Sequence, residues 1–220
     1  MAQWRVVFFD IGNTLLFPNR QKILAPLPVK FHPTLEGWQA LERQTKLEFD
    51  QEVQSGRVDH SFWWIFHTHL LQQLQQPVSF RDALVENTRN SANWDQMLPG
   101  TREALERIRH NFRTAVISNS DGAIDRVLSR CGVADCFESI TDSGNVGAEK
   151  PRGEIFKAAL NATNADAAES LYVGDIYSVD YAGARNAGMH AVLFDVAGAY
   201  RGRDLPRVAS LAELESWLEK

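Results

Sequence analysis

Continuous apolar runs, each cut off by turn residues, recur along the chain: "WRVVFFD" near the start, then "RTAVISNSDG", "ESITDSG", "SLYVGD" and "HAVLFD". Runs that are apolar on both faces, with no alternation, mark parallel strands covered by helices on each side. The segments between the later runs carry apolar residues at three- and four-residue spacing, as helices do. In "PGTREALERIRHN" Ala104, Leu105 and Ile108 share a face, with Thr101 as the expected N-cap. "AIDRVLSRCGV" stops at Gly132, "GEIFKAALNATN" reads as a further helix, and "SVDYAGARNAG" closes at Gly188. Strand and helix alternate from about residue 96 onward, which predicts an α/β fold built on a doubly wound, Rossmann-like parallel sheet.

After the first strand, residues 5 to 9, the pattern changes. A proline-punctuated passage, "FPNRQKILAPLPVKFHP", leads into a block with helical spacing and no strand signal. "TLEGWQALERQTKLEFDQEVQSG" sets Leu35, Trp38, Leu41, Thr45 and Phe49 along one face and ends at Gly56. "DHSFWWIFHTHLLQQLQQ" opens with Asp59 as a candidate N-cap, and "SFRDALVENTRN" is a third helix. The simplest topology is an all-helical insertion between the first and second strands. It predicts an α/β core of residues 1–16 plus 96–220 and a helical domain of residues 17–95. Trp38, Trp63 and Trp64 supply the bulk that a small helical unit needs for its own packing, and exposed members could line a substrate pocket or a dimer face. Monomer and homodimer both remain open.

Composition narrows the classes of function. The chain has 220 residues, 44% hydrophobic and 23% charged, with a net charge of −5 and no basic run able to track a phosphate backbone. Nucleic acid is therefore not an expected partner. No apolar stretch approaches the ~20 residues of a membrane span, and Met-Ala-Gln-Trp-Arg leads directly into a strand pattern, so the expected address is the cytoplasm. The two cysteines, Cys131 and Cys136, lack metal-binding spacing and are expected to be reduced.

Ligands of open α/β sheets gather at the carboxyl ends of the strands. The residues just past the predicted strands are Asp10 and Thr14, then Ser118 and Asn119, then Asp175 and Asp180, with Lys150 in the loop "GAEKPRGEIF". Any one of them could be a helix cap, a turn former or a surface lysine. Asp175 is the hardest to explain that way, because a carboxylate beside Asp10 is repulsive without a cation.

In order, "VVFFDIGNT", "TAVISNS", "EKP" and "LYVGDIYSVD" resemble the four signatures of the haloacid dehalogenase superfamily: hhhhDxxxT, hhhhhSN, a lysine before a helix, and hhhhGDxxxxD. The match spans nearly the whole chain, and the helical insertion resembles the family's C1-type cap domain, which opens and closes over the core through linkers, here near residues 17 and 95. The resemblance implies a phosphatase with Asp10 as nucleophile, forming an aspartyl phosphate. It further implies Mg2+ held by the Asp10 and Asp175 carboxylates and the Gly12 carbonyl, with Lys150 as a second cation. Thr14, Ser118, Asn119 and Lys150 would hold the phosphate of a small phosphorylated substrate, and Asp180 would support Lys150 or the metal from behind.

Gly12 departs from the family's phosphatases, most of which carry a second aspartate at that place. In the family that aspartate protonates the leaving oxygen and later activates water, whereas its backbone carbonyl touches the metal. A glycine keeps the carbonyl and deletes an acid/base group of the kind that contributes ~100- to 10,000-fold. Three outcomes follow: a substrate with a good leaving group, such as an acyl or aryl phosphate; a proton carrier lent by the cap, where His32, His60, His67 and His69 lie; or a protein that binds a phosphorylated ligand or a protein partner with little turnover. Metal-independent 2-haloacid dehalogenases of the family also lack the second aspartate and use the same nucleophile. Their fourth motif resembles Ser-Asn-x-x-x-Asp, however, and this chain retains Asp175.

Overall fold

A computed structural model describes residues 4–28, 33–54 and 62–219. Among them, six strands form one parallel sheet: β1 Val6–Phe9, β2 Arg113–Ser118, β3 Ser139–Asp142, β4 Ser170–Gly174, β5 His190–Phe194 and β6 Arg207–Val208. Their order across the sheet is β3-β2-β1-β4-β5-β6. β1 and β4 are buried along their whole length because helices cover both faces, which is why they read as unbroken apolar runs.

Helices α1 Arg20–Ile23, α2 Leu35–Gln54, α3 Phe62–Gln73 and α4 Arg81–Arg89 lie between β1 and β2. α5 Thr101–Asn111 follows them and leads into β2; α6 Ile124–Arg130 lies between β2 and β3, α7 Ser143–Val146 and α8 Gly153–Thr163 between β3 and β4, α9 Ala182–Asn186 between β4 and β5, and α10 Leu211–Leu218 after β6. None of the described helices is long and apolar enough to cross a membrane. Both cysteines are free.

One apolar cluster fills each face of the sheet, one around Val7, Phe9 and Val116, the other around Phe8, Ile117 and Phe156. A third joins Ile23, Trp38, Leu41, Phe66, Leu70 and Leu84 inside the helical segment. An antiparallel bridge between Phe17 and Gln96 closes that segment at its base. Trp63 packs on both the helical cluster and the sheet cluster, its ring centroid 5.5 Å from that of Trp94, and so glues the two regions together.

Three local expectations change. Leu35, placed by its spacing on the buried face of α2, is 62% exposed: it is the first residue of the helix, and burial on that face begins one turn later at Trp38. The N-cap of α5 is Gly100, in a left-handed conformation, and Thr101 instead donates its hydroxyl to the Leu98 carbonyl at 2.8 Å. The segment after β4 begins as a π-helical turn, Tyr177–Tyr181, before α9. Gly56 and Asp59 lie outside the described residues.

Candidate active site

The strand order reverses between β1 and β4, and such a reversal opens a crevice at the carboxyl edge of a parallel sheet. Phe9 is in register with Val173, so Asp10 and Gly174–Asp175 leave the sheet side by side. The ligand oxygens of Asp10, Asp175 and Asp180 all lie within 4.8 Å of one another, and all three side chains are buried. Lys150 Nζ sits among them. It donates to Asp10 Oδ1 at 2.6 Å, Asp180 Oδ1 at 2.8 Å and the Tyr172 hydroxyl at 2.7 Å, which uses every hydrogen of the ammonium. Its main chain is clamped as well: Asn119 accepts from Lys150 N at 2.8 Å and donates to Lys150 O at 3.0 Å.

Asp180 owes its place to the π-turn. Its Oδ2 accepts from the backbone amides of Asp175 and Ile176, at 3.1 and 2.9 Å, while Oδ1 takes Lys150 and the Tyr172 hydroxyl. The carboxylate thereby packs directly over Gly174, where a Cβ would come within 2.5 Å of Asp180 Cγ. A side chain at residue 174 is therefore excluded by the group that orients the lysine.

Burial raises the Asp10 carboxyl above its usual range against the opposing pull of Lys150. Burial alone would lower the Lys150 ammonium, but Asp10 and Asp180 outweigh it and hold the lysine charged. Asp175 is raised by burial and by its acidic neighbours, against the pull of a second lysine, Lys46. Lys46 comes from α2 in the helical segment and is 1% exposed; its Nζ lies 2.9 Å from Asp175 Oδ2 and 2.8 Å from Glu42. The contact is an ion pair and not a hydrogen bond, and among the described residues Asp175 Oδ2 accepts none. One turn further along α2, Asp50 accepts from the Ser178 amide at 3.0 Å, and Arg43 donates to the Ala197 carbonyl at 3.0 Å. Glu42, Lys46 and Asp50 recur every four residues, a charged stripe pressed onto the loops after β4 and β5.

The family model described as haloacid dehalogenase-like hydrolase matches residues 4–188, most of the chain and all of this site. The chain belongs to that family. Relatives include the glyceraldehyde 3-phosphate phosphatase of Pyrococcus abyssi, 30% identical over 86% of this chain and 81% of that protein. The pyrimidine 5'-nucleotidase YjjG of Escherichia coli is 28% identical over 99% of both chains. In fold, the chain is similar to magnesium-bound YfnB from Bacillus subtilis, with a TM-score of 0.73 at 15% identity over 99% of this chain and 100% of that one.

The donor set of this haloacid dehalogenase-like hydrolase fits a hard divalent cation. Four buried carboxylates, Asp10, Asp175, Asp180 and Glu42, face two ammonium groups, Lys46 and Lys150, so all four can ionise only with a further cation beside them, in keeping with the raised carboxyls of Asp10 and Asp175. Both oxygens of Asp180 are already engaged, so Asp10 and Asp175 are the carboxylates left to bind a cation; Asp175 Oδ2 accepts no hydrogen bond among the described residues and meets only the Lys46 ammonium there.

Two residues past Asp10, a Cβ at Gly12 would touch the Trp94 ring at 3.4 Å. That indole is held by its own N–H, which donates to the Thr88 carbonyl at 2.7 Å, so an aromatic wall stands next to residue 12. Thr14 is buried with its hydroxyl unpaired among the described residues, and Ser118 is buried at the end of β2. Among the histidines of the helical segment, His67 is fully buried against the Thr88 hydroxyl at 2.7 Å, and burial pushes it down to about 3, so it is neutral. His69 pairs with Glu48 at 2.8 Å. His32 and His60 lie outside the described residues.

Trp38 packs against Phe66, and Trp64, 38% exposed, lies under the Arg81 guanidinium. Sequence reasoning had passed over Lys46, Asp50 and Trp94. The signal for the first two was the four-residue recurrence of 42, 46 and 50, which looks the same as an ordinary solvated helix face.

Proposed function

We propose that the chain is a Mg2+-dependent phosphohydrolase acting on a small phosphorylated metabolite through an aspartyl phosphate at Asp10, with residues 17–95 working as a C1-type cap on a core of residues 1–16 plus 96–220. The observation that carries this reading is Asp175 beside Asp10, buried, with one oxygen that among the described residues accepts no hydrogen bond and is met only by the Lys46 ammonium. A metal-free dehalogenase has no use for that carboxylate. When bound by Asp10, Asp175 and the Gly12 carbonyl, Mg2+ would neutralise the charge spread over the phosphoryl oxygens.

The remaining work belongs to the protein. An Asp10 carboxylate oxygen forms the bond to phosphorus, and the bond to the leaving oxygen breaks with its electrons. Lys150 holds Asp10 through Oδ1 and offers a compact positive charge to the phosphoryl group. Thr14 and Ser118 donate hydroxyls to its oxygens, while Asn119 acts on the phosphate site chiefly by fixing the Lys150 backbone. Water then attacks the acyl phosphate, releases inorganic phosphate and restores the carboxylate.

Gly12 stands where most of the family's phosphatases keep an acid/base aspartate, and Trp94 fills the neighbouring space. With His67 neutral and enclosed, the leaving oxygen meets no evident proton donor among the described residues. Acyl and aryl phosphates, which leave readily, are therefore the preferred test substrates. Acetyl phosphate and p-nitrophenyl phosphate are to be assayed with and without Mg2+, for the natural protein and for Asp10→Asn. Mg2+-dependent phosphate release that falls at least about a thousandfold in Asp10→Asn supports the reading. No release from either substrate overturns it, in favour of a phospho-ligand binding role, and metal-free release of chloride from 2-chloropropionate would favour the dehalogenase.

A further inference from the structure

The cap lysine Lys46 belongs to none of the four sequence signatures, yet it is among the most deeply buried side chains of the molecule. It reaches Asp175 Oδ2, and among the described residues its other ionic partner is Glu42 on its own helix. Magnesium binds a carboxylate oxygen at about 2.0–2.1 Å. With Lys46 Nζ 2.9 Å from that oxygen, a cation there would lie no more than about 5 Å from the ammonium, in a site closed to solvent. Two cations at that separation inside a buried pocket repel strongly.

Lys46 has somewhere to go. Glu42 lies one turn back on α2, so the ammonium can keep one carboxylate while giving up the other. Its stem carries no further polar tie. Other links from α2 to the sheet's edge, among them Asp50 to the Ser178 amide and to Arg203 and Arg43 to the Ala197 carbonyl, use different groups and do not need Asp175.

From this geometry we infer that Lys46 is a resident competitor for the divalent cation: lysine and metal contest one oxygen of Asp175, so that metal loading expels Lys46 from the site and removes an ion pair between the cap and a metal-binding carboxylate. The inference rests on the phosphatase reading in requiring Mg2+ at Asp175, but it assigns a role to a residue that reading leaves unused. It predicts a cap that is held shut over the nucleophile until the metal arrives, and a metal affinity set partly by a residue outside the core.

Two measurements with Mg2+ alone test it. Calorimetric titration compares the natural protein with Lys46→Met and Lys46→Arg. The expected result is Mg2+ binding tighter by tenfold or more in Lys46→Met, and within about threefold of the natural protein in Lys46→Arg, which keeps the charge. In the second, the natural protein is labelled briefly with acetic anhydride and each lysine is read by mass spectrometry. Lys46 should label at least tenfold faster with saturating Mg2+, while Lys150 stays protected. This arm needs no variant, so it decides the matter even where Lys46→Met folds poorly. Equal or weaker Mg2+ binding in Lys46→Met, or a Lys46 equally protected with and without bound Mg2+, overturns the competition while leaving the phosphatase reading intact. Absence of Mg2+ binding in all three proteins overturns the metal reading itself, and the inference with it.

Discussion

Lys150 in the α/β core and Lys46 in the helical segment are the same residue type, both buried and both facing aspartates of one crevice, but they are held in different ways. Lys150 has three partners within the core, and its backbone is clamped by Asn119. Among the described residues Lys46 has two, one on its own helix and one across the junction between the regions. Removing a partner from a buried charge typically costs about 3–5 kcal/mol, so both placements are strongly constrained. The difference lies in what must stay still: the core lysine depends on strand register and loop geometry, the helical one on how α2 is docked. One is suited to permanent duty, the other to an exchange of partners.

If the core is the rigid half of this pair, disturbing its packing should do the most damage. In Gly174→Ala the new methyl meets the Asp180 carboxylate at 2.5 Å, and that carboxylate must move or the strand must bend. Lys150 loses its orientation with it. Phosphatase turnover should fall about a hundredfold or more, since misplacing a reacting group by an ångström can cost that much. A stability loss of about 1–3 kcal/mol, read from denaturant unfolding, should accompany it. Turnover close to the natural value would show that Asp180 is not the strut described here.

The boundary between the regions is softer, and a smaller effect is expected there. Gly12→Asp supplies the acid/base group but sets it against the Trp94 ring. Hydrolysis of an alkyl phosphate such as glycerol phosphate should rise only about tenfold, short of the ~100- to 10,000-fold that a well-placed acid/base group contributes. Adding Trp94→Phe should recover more of it, because the six-membered ring of the indole is what occupies the space. A full gain from Gly12→Asp alone would mean that the wall yields freely.

Within the helical segment, His67 offers the mildest test, of stability and not of chemistry. Its imidazole refuses a proton down to about 3, whereas in the unfolded chain it titrates near ~6.5. Below that value the unfolded state takes up a proton that the folded state does not. The contribution of His67 is therefore complete above about pH 6.5 and is lost progressively as the pH falls towards 3. By pH 5 the loss is about 2 kcal/mol. Thermal unfolding of His67→Gln should show a correspondingly shallower decline between pH 7 and 5 than the natural protein. Parallel curves would mean that the histidine is free to charge in the fold.

Much of the core was legible in advance because its elements carry strong local signals. Parallel strands buried on both faces leave unbroken apolar runs, and the residue that ends each run is at the ligand-binding edge whatever the order of the strands. Asp10, Ser118, Asp175 and the Lys150 loop could be read that way. The short strand β6 and the last helix, α10, carried weaker signals and passed unread, as did the π-turn that swings Asp180 back over Gly174.

The sequence by itself determined the fold class, the helical insertion after the first strand, and the identity of the groups at the strand ends. Those follow from periodicity and from the fixed direction in which a strand delivers its next residue. Only the tertiary structure decided that β1 and β4 are neighbours, which brings Asp10 and Asp175 together, and that Lys46, Asp50 and Trp94 face the site. A helix offers several faces to its surroundings, and a charged stripe on one of them has the same spacing whether it meets water or a buried carboxylate. Docking chooses between the two, and docking is set by surfaces far apart in the chain.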